Sequence, residues 1–192
     1  MPNWCSNTAT FEHNNPVMIQ RLVNAYNTGK TFSEFFPTPS DLLEEVEHVG
    51  EDYNQRREAL RQRNMDKHGY ADWYQWNIDH WGTKWDAGNE DYDVKLDEGA
   101  TSVTLNFDTA WSPPVAFYQE MEDELGFRIT ATYFEPGMSF VGEYADGSDD
   151  VFEIDPADFS NIPENLREDY DIESWFEQDE EEEPEEQDEE TK

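Results

Sequence analysis

Alternating apolar and polar residues near the start of the chain predict a β-strand over Trp4–Glu12. Cys5, Ala9 and Phe11 alternate with the polar positions 6, 8 and 10, which hold serine and threonine. Asn15 and Pro16 then form the signature of a helix start, with a capping side chain followed by proline in the first turn. Apolar residues recur at helical spacing from Ile19 to Tyr26. The chain therefore begins with a predicted strand and a predicted helix.

The same alternation returns after residue 90. It is clearest in Thr101–Thr109, with a shorter candidate strand at Tyr92–Asp97 just before it. A second cap-plus-proline signature, Ser112-Pro113, predicts a helix that ends at Gly126. Three more strands are predicted after that helix, the last of them a short edge strand: Arg128–Glu135, Met138–Tyr144 and Val151–Ile154.

This order of elements predicts an α+β fold. The pattern strand, helix, strand, strand, helix, strand is the ferredoxin-like arrangement, in which two helices cover one face of an antiparallel sheet. We expect this domain to span residues 1–155, with a partly helical insertion over about residues 40–90. Residues 156–176 predict a weakly helical acidic extension, and the low-complexity residues 177–192 predict a disordered acidic tail.

The composition supports a folded chain with an acidic surface. Aromatic residues make up 15% of the 192 residues, which is more than a disordered chain carries. The net charge is −35, and the tail supplies −10 of it through eleven acids and one lysine, which leaves −25 for residues 1–176. Such a surface repels nucleic acid and anionic membranes, and it attracts basic proteins.

The sequence favours a cytoplasmic location and gives no sign of membrane insertion. No apolar run approaches the roughly 20 residues that span a bilayer, and the first residues lack the basic and apolar regions of a signal peptide. Cys5 is the single cysteine, so it cannot form an internal disulfide. We interpret Cys5 as a small buried apolar residue, and the alternative is a catalytic thiol.

Three short stretches carry a family resemblance. They are, in chain order, Asn3–Asn7 (NWCSN), Trp81–Ala87 (WGTKWDA) and Phe107–Pro114 (FDTAWSPP). In this order and spacing they resemble the YubB ferredoxin-like family, small proteins carried by plasmids and bacteriophages. The resemblance covers about residues 1–145 and implies a ferredoxin-like domain from a mobile element. It implies no established activity, and one cysteine cannot ligate an iron–sulfur cluster, which needs about four.

The densest aromatic region contains the candidate binding residues. Trp81, Trp85 and Trp111 are predicted to form a stacking platform for a partner, with Lys84 as a cation and Asp86 as an acceptor. The alternative is a satellite core that packs the insertion onto the sheet. We predict no catalytic, cofactor-binding or metal-binding residues.

The other candidate sites in the sequence fail on spacing. The four histidines lack metal-ligand spacing, and no phosphate-binding or hydrolase motif occurs. The loop Asp146–Asp150 lacks the glycine and the glutamate that an EF-hand requires at its sixth and twelfth positions, so it is interpreted as a hairpin turn. The arginines of residues 56–63 lie among acids at helical pairing distance, which favours a salt-bridged helix over a phosphate site.

Three functions remain open at this point. The first is a non-enzymatic module that binds a host or phage protein, and the acidity makes a basic partner attractive. The second is a nucleic-acid mimic, in which carboxylates imitate DNA phosphates and block a host DNA-binding or defence protein. The third is an enzyme that uses scattered carboxylates. No direct nucleic-acid or membrane partner and no cofactor is expected, and the sequence does not determine the oligomeric state.

Overall fold

The computed structural model describes residues 3–88 and 93–182, with side chains through Glu177. Within these ranges, five strands form one sheet: β1 Trp4–Glu12, β2 Ser102–Ala110, β3 Arg128–Glu135, β4 Phe140–Ala145 and β5 Ser148–Glu153. The same described residues form six helices: α1 Pro16–Tyr26, α2 Tyr53–His68, α3 Trp73–Trp81, α4 Val115–Leu125, α5 Glu164–Asp169 and α6 Ile172–Glu182. Short 3-10 turns lie at Ser40–Leu43 and Pro136–Met138. The α+β prediction is confirmed.

The sheet is antiparallel throughout, with the strand order β2-β1-β3-β4-β5. Strand β1 pairs with β2 on one side and β3 on the other, so that Ala9 lies opposite both Leu105 and Ala131. The β4–β5 hairpin turns at Asp146 and Gly147, which confirms the hairpin interpretation of that acidic loop.

The strand predicted over Tyr92–Asp97 is wrong for residues 93–97, which form no strand; residue 92 lies outside the described residues. The reason is a competing set of hydrogen bonds. The Asn27 amide, just after α1, donates to the carbonyl oxygen of Val94 and accepts from its backbone N–H, at 3.0 and 2.9 Å. These bonds hold Val94 against the helix instead of the sheet edge.

Helices α1 and α4 cover one face of the sheet, as predicted. The main core lies between them and the strands and includes Phe11, Ile19, Leu105, Phe117 and Ile129, all 1% exposed or less. Asn15 caps α1 by accepting from the backbone of residue 17. Ser112 does not cap α4, in contrast to the prediction, because its hydroxyl donates to the carbonyl oxygen of Gly82 at 2.6 Å.

The extension after residue 155 builds a second core on the opposite face of the sheet. Leu166 of α5 and Ile172 of α6 are fully buried against Phe134 and Val141. Residues 156–176 are therefore part of the folded body rather than a loosely structured appendage. Helix α6 also includes residues 177–182, the beginning of the predicted disordered tail, and residues 183–192 lie outside the described part of the chain.

The rest of that second face is polar. Side chains pair across β1 and β2 at three successive positions: Ser6 with Asp108, Thr8 with Asn106 and Thr10 with Thr104, each at 2.8–2.9 Å. This part of the sheet is polar because Ser6, Thr8 and Thr10 of β1 carry hydroxyls and not apolar groups.

The insertion folds as α2 and α3, tied down by ion pairs. Asp41 accepts from Lys67 and from the His68 ring, and these bonds lower the pKa of Asp41 to about 2. Arg61 pairs with Asp72 at 3.0 Å and Arg63 with Glu44 at 2.9 Å. Arg56 pairs with Asp52 at the predicted helical spacing, whereas the other two arginines pair with acids more distant in the sequence.

Candidate binding surface

Three of the five predicted site residues meet at one end of the sheet. The ammonium Nζ of Lys84 lies 3.9 Å from the ring centroid of Trp85 and 5.4 Å from that of Trp111. Trp4, at the start of β1, adds a third ring, 6.0 Å from Trp85 between centroids. We call Trp4, Lys84, Trp85 and Trp111 the tryptophan cluster.

The rings of the tryptophan cluster are exposed to solvent. Trp4 is 47% exposed, Trp85 42% and Trp111 44%. Leaving such rings half exposed forgoes roughly 2–3 kcal/mol of burial for each of them. The cluster is thus a surface and not a satellite core, and a cation already lies over its aromatic faces in the geometry of cation–π contacts.

Trp81 belongs to the core, so the prediction that it forms part of a platform is wrong. It is only 4% exposed and packs against Phe32 at 5.7 Å between ring centroids. Its indole N–H donates to the carbonyl oxygen of Phe36 at 2.9 Å. Trp81 closes the last turn of α3 onto the main core, which is the role that the alternative interpretation assigned to the aromatic region.

Asp86 is likewise occupied within the fold. Its carboxylate accepts from the backbone of Phe32 at 2.7 Å, from the Ser33 hydroxyl at 2.5 Å and from the Ala87 backbone at 2.9 Å. These bonds fasten the loop after α3 to the loop after α1. Asp86 therefore acts as an internal acceptor and positions Trp85 from the next position in the chain.

The three stretches that carry the family resemblance converge at this end of the molecule. The backbone N–H of Trp111 donates to the carbonyl oxygen of Asn3 at 3.0 Å, which joins the third stretch to the first. The Thr83 hydroxyl donates to the carbonyl oxygen of Ala110 at 3.0 Å, which joins the second stretch to the third. Residues far apart in the sequence thus build one rigid support under the tryptophan cluster.

Trp111 itself has a strained backbone. Its φ of 76° lies in the left-handed region, which bulky residues rarely adopt. Such a conformation costs about 1–3 kcal/mol and persists only where the surroundings enforce it. The enforcing bonds are the one from Trp111 to Asn3 and that from the Thr109 hydroxyl to the carbonyl oxygen of Ser112 at 2.8 Å. A glycine could adopt this backbone conformation without strain. The tryptophan at this position instead directs a large ring toward solvent.

Sequence reasoning missed Trp4, although a signal was present. Trp4 occupies an even position of β1, in line with Ser6 and Thr8 on the polar face. A tryptophan that leads a polar, solvated face has no core to enter, and this pattern distinguishes it from Trp81. Trp81 does not lie on a polar strand face. It is the last residue of helix α3, immediately before Gly82.

A buried polar group lies below the cluster on the main-core side of the sheet. The Asn7 amide donates to the carbonyl oxygen of Cys5 at 2.7 Å and to the Thr109 hydroxyl at 2.9 Å. Cys5 is fully buried, and burial raises the pKa of its thiol well above the usual value, with nearby Glu135 adding to the rise. The thiol therefore stays protonated, and the interpretation of Cys5 as a buried small residue is confirmed.

We expect the Cys5 thiol to be inert in the folded protein. Ellman's reagent needs an accessible thiolate, and Cys5 offers neither access nor ionisation. Native protein at pH 8 should release less than about a tenth of one thionitrobenzoate per chain in an hour, whereas protein in 6 M guanidinium should release one within minutes. Full labelling of the native protein would contradict this assignment.

Within residues 3–88 and 93–182, no three histidine, cysteine or acidic side chains are grouped so that they could hold a metal ion. None of the described helices is long and apolar enough to cross a membrane.

Comparisons with known proteins leave the family open. No protein-family model matches the chain, and no curated protein matches it. Among solved structures, the crystal structure of api92 from Yersinia pseudotuberculosis, of family-model DUF1281, is similar with a TM-score of 0.40 and 11% sequence identity. That similarity covers 81% of this chain and 99% of the other. A likeness at this level carries no argument about function.

Proposed function

We propose that this protein is a phage- or plasmid-encoded accessory protein that acts in the host cytoplasm as a non-enzymatic protein-binding module. The observation that carries the proposal is the tryptophan cluster, three half-exposed rings with Lys84 on a rigid support. Tryptophan is enriched among the residues that dominate protein–protein binding energy, since one ring buries a large area at small entropic cost. The partner is a host or phage protein, and the net charge of −35 favours a basic one.

The arrangement of the central strands supports a ferredoxin-like origin for this scaffold. Strand β1 lies between β2 and β3, α1 follows β1, and α4 joins β2 to β3, which is the core of the ferredoxin-like order. In that order the remaining strand would flank β2 and would precede it in the chain, but residues 93–97, which precede β2 here, form no strand. The three converging sequence stretches add the likeness to the YubB ferredoxin-like family. We propose membership of that family on these two grounds.

Removal of the rings should abolish partner capture. We expect the double variant Trp85→Ala/Trp111→Ala to retain about 30-fold less of its partner from host lysate than the natural chain. A loss of this size is typical of a binding hot spot. Quantitative mass spectrometry of proteins retained on the immobilised full chain is the measurement. Trp175→Ala is the matched control, because Trp175 is 39% exposed and belongs to α6, outside the tryptophan cluster. An identical set of retained proteins for all three chains would overturn the proposal.

A nucleic-acid mimic is the second candidate, favoured by unpaired carboxylates in the last part of the fold. Residues 143–176 hold twelve acids against Arg167. Among the described residues of that segment, the single ion pair is that between Arg167 and Glu173. Acids fixed on a folded surface can imitate the regular phosphate charge of DNA. If the captured partner binds DNA, duplex DNA should compete for it, and 0.5 M salt should release it whether or not the tryptophans are present.

A further inference from the structure

A second surface, separate from the tryptophan cluster, lies along the β4–β5 hairpin. There a pocket of about 280 Å³ opens between the start of α4 and the main-core face of the sheet. Its walls are mostly apolar and it contains one carboxylate; the lining includes Pro113, Val115, Tyr133, Phe140, Asp149 and Val151.

The carboxylate in this pocket is held by a buried phenol. The Tyr133 hydroxyl donates to Oδ1 of Asp149 at 2.5 Å, and the ring reaches Asp149 by crossing β4 at Gly142. A Cβ at position 142 would lie 2.3 Å from the phenolic oxygen, so the missing side chain makes this crossing possible. The other oxygen, Oδ2 of Asp149, has no hydrogen-bond donor among the side chains described. Asp149 is exposed as a residue, but partial desolvation of its carboxylate in the pocket, with Asp150 adding to it, raises its pKa.

The pocket borders an open strand edge. Strand β5 pairs with β4 on one side, and no strand of the described chain pairs with its other side. Beyond the strand, the Asn161 amide donates to the carbonyl oxygen of Glu153, which closes the edge there and leaves residues 148–152 open. Val151 is 54% exposed on this strand. An open edge with exposed backbone groups is a template for strand addition.

We infer that β5 binds an extended, lysine-bearing segment of a partner protein by strand addition. The added strand pairs with the backbone of residues 148–152. One lysine enters the pocket, with its alkyl stem along Phe140 and Val151 and its ammonium at Oδ2 of Asp149. Charge complementarity selects this occupant, since Asp149, Asp150 and Glu153 make β5 an anionic strand. A lysine fits because its long stem is apolar and its charge is compact.

This inference goes beyond the proposed function because it rests on a different surface and names the chemistry of the segment bound. Its test uses a fluorescein-labelled nine-residue peptide of alternating threonine and valine with a central lysine, and fluorescence anisotropy with the full chain. A second peptide has norleucine in place of lysine, which keeps the stem and removes the charge. We expect the lysine peptide to bind at least tenfold more tightly than the norleucine peptide.

Two variants that each remove one negative charge distinguish binding in the pocket from general charge attraction. Asp149→Asn should weaken the lysine peptide at least tenfold, whereas Asp150→Asn, whose side chain alternates to the other face of β5, should change its affinity less than twofold. A thermal melt of each variant verifies that it is folded. Equal binding of the two peptides, or equal losses for the two variants, would overturn the inference, as would no binding of the lysine peptide at millimolar concentration. Trp85 and Trp111 are unchanged in both variants. Failure of the strand-addition inference is therefore independent of failure of the proposed binding by the tryptophan cluster.

Discussion

Gly142→Ala should destabilise the protein by about 3 kcal/mol, at the upper end of the cost of forcing extra volume into a packed core. The added methyl group would lie 2.3 Å from the hydroxyl oxygen of Tyr133, 2.5 Å from its Cζ and 2.7 Å from the carbonyl oxygen of Asp150. The Tyr133 side chain is fully buried and its hydroxyl is held by Asp149, so moving it aside would break that hydrogen bond. For a chain of this length we expect the melting temperature to fall by about 6–12 °C, measured by circular dichroism.

Gly147→Ala provides the control within the same hairpin. Its added methyl group meets no atom within 4 Å, but its φ of +77° is strained for alanine. The expected cost is about 1 kcal/mol from backbone strain alone. If Gly142→Ala were no more harmful than Gly147→Ala, the crossing of Tyr133 over β4 would be wrong.

Leu166→Ala should lower the free energy of unfolding by about 2–5 kcal/mol, the range for deleting a buried leucine side chain. Leu166 lies in α5, beyond the predicted domain boundary, yet it is fully buried in the second core with Phe134 and Val141. Urea unfolding monitored by tryptophan fluorescence would measure the change in stability.

The matched control is Leu43→Ala, because Leu43 is 55% exposed. The same deletion at an exposed site should change stability by less than about 0.5 kcal/mol. Near-equal values for Leu166→Ala and Leu43→Ala would mean that residues 156–176 are not packed into the folded body.

Local signals explain which elements could be predicted. Asn15 and Pro16 determine the start of α1 through contacts between residues that are adjacent in the sequence. The alternation of apolar and polar residues in β2 can likewise be recognised from the local sequence. The failure at residues 93–97 is of another kind. Val94 has strand-like neighbours, but the Asn27 side chain, 67 residues away, takes its backbone hydrogen bonds. Competition of this kind is settled by tertiary contacts, which a local pattern does not contain.

The sequence predicted which types of residue form the candidate surface, but it did not predict which individual residues are exposed there. Lys84, Trp85 and Trp111 of the second and third sequence stretches lie together at one surface, as the platform interpretation requires, and their role in binding a partner stays a prediction. Trp81 and Asp86 share the same local composition but lie on the inner side of the loop. Trp81 is buried through Phe32 and Phe36, and the half-buried Asp86 is held by the backbone of Phe32; these partners follow α1 and approach only in the folded chain. Density of aromatic residues along a sequence does not tell which ring faces water.

The second core also affects how the chain folds during synthesis. The sheet strands are all made by residue 153, but most of the side chains that complete the second core around Phe134 and Val141 follow at residues 159–176. A nascent chain that ends at about residue 155 therefore shows water an uncovered apolar patch beside an open strand edge, the combination from which aggregates grow. At typical elongation rates of about 5–20 residues per second, the ribosome supplies the missing helices within a few seconds. Slow translation of this segment would prolong the interval in which the chain is prone to misassembly.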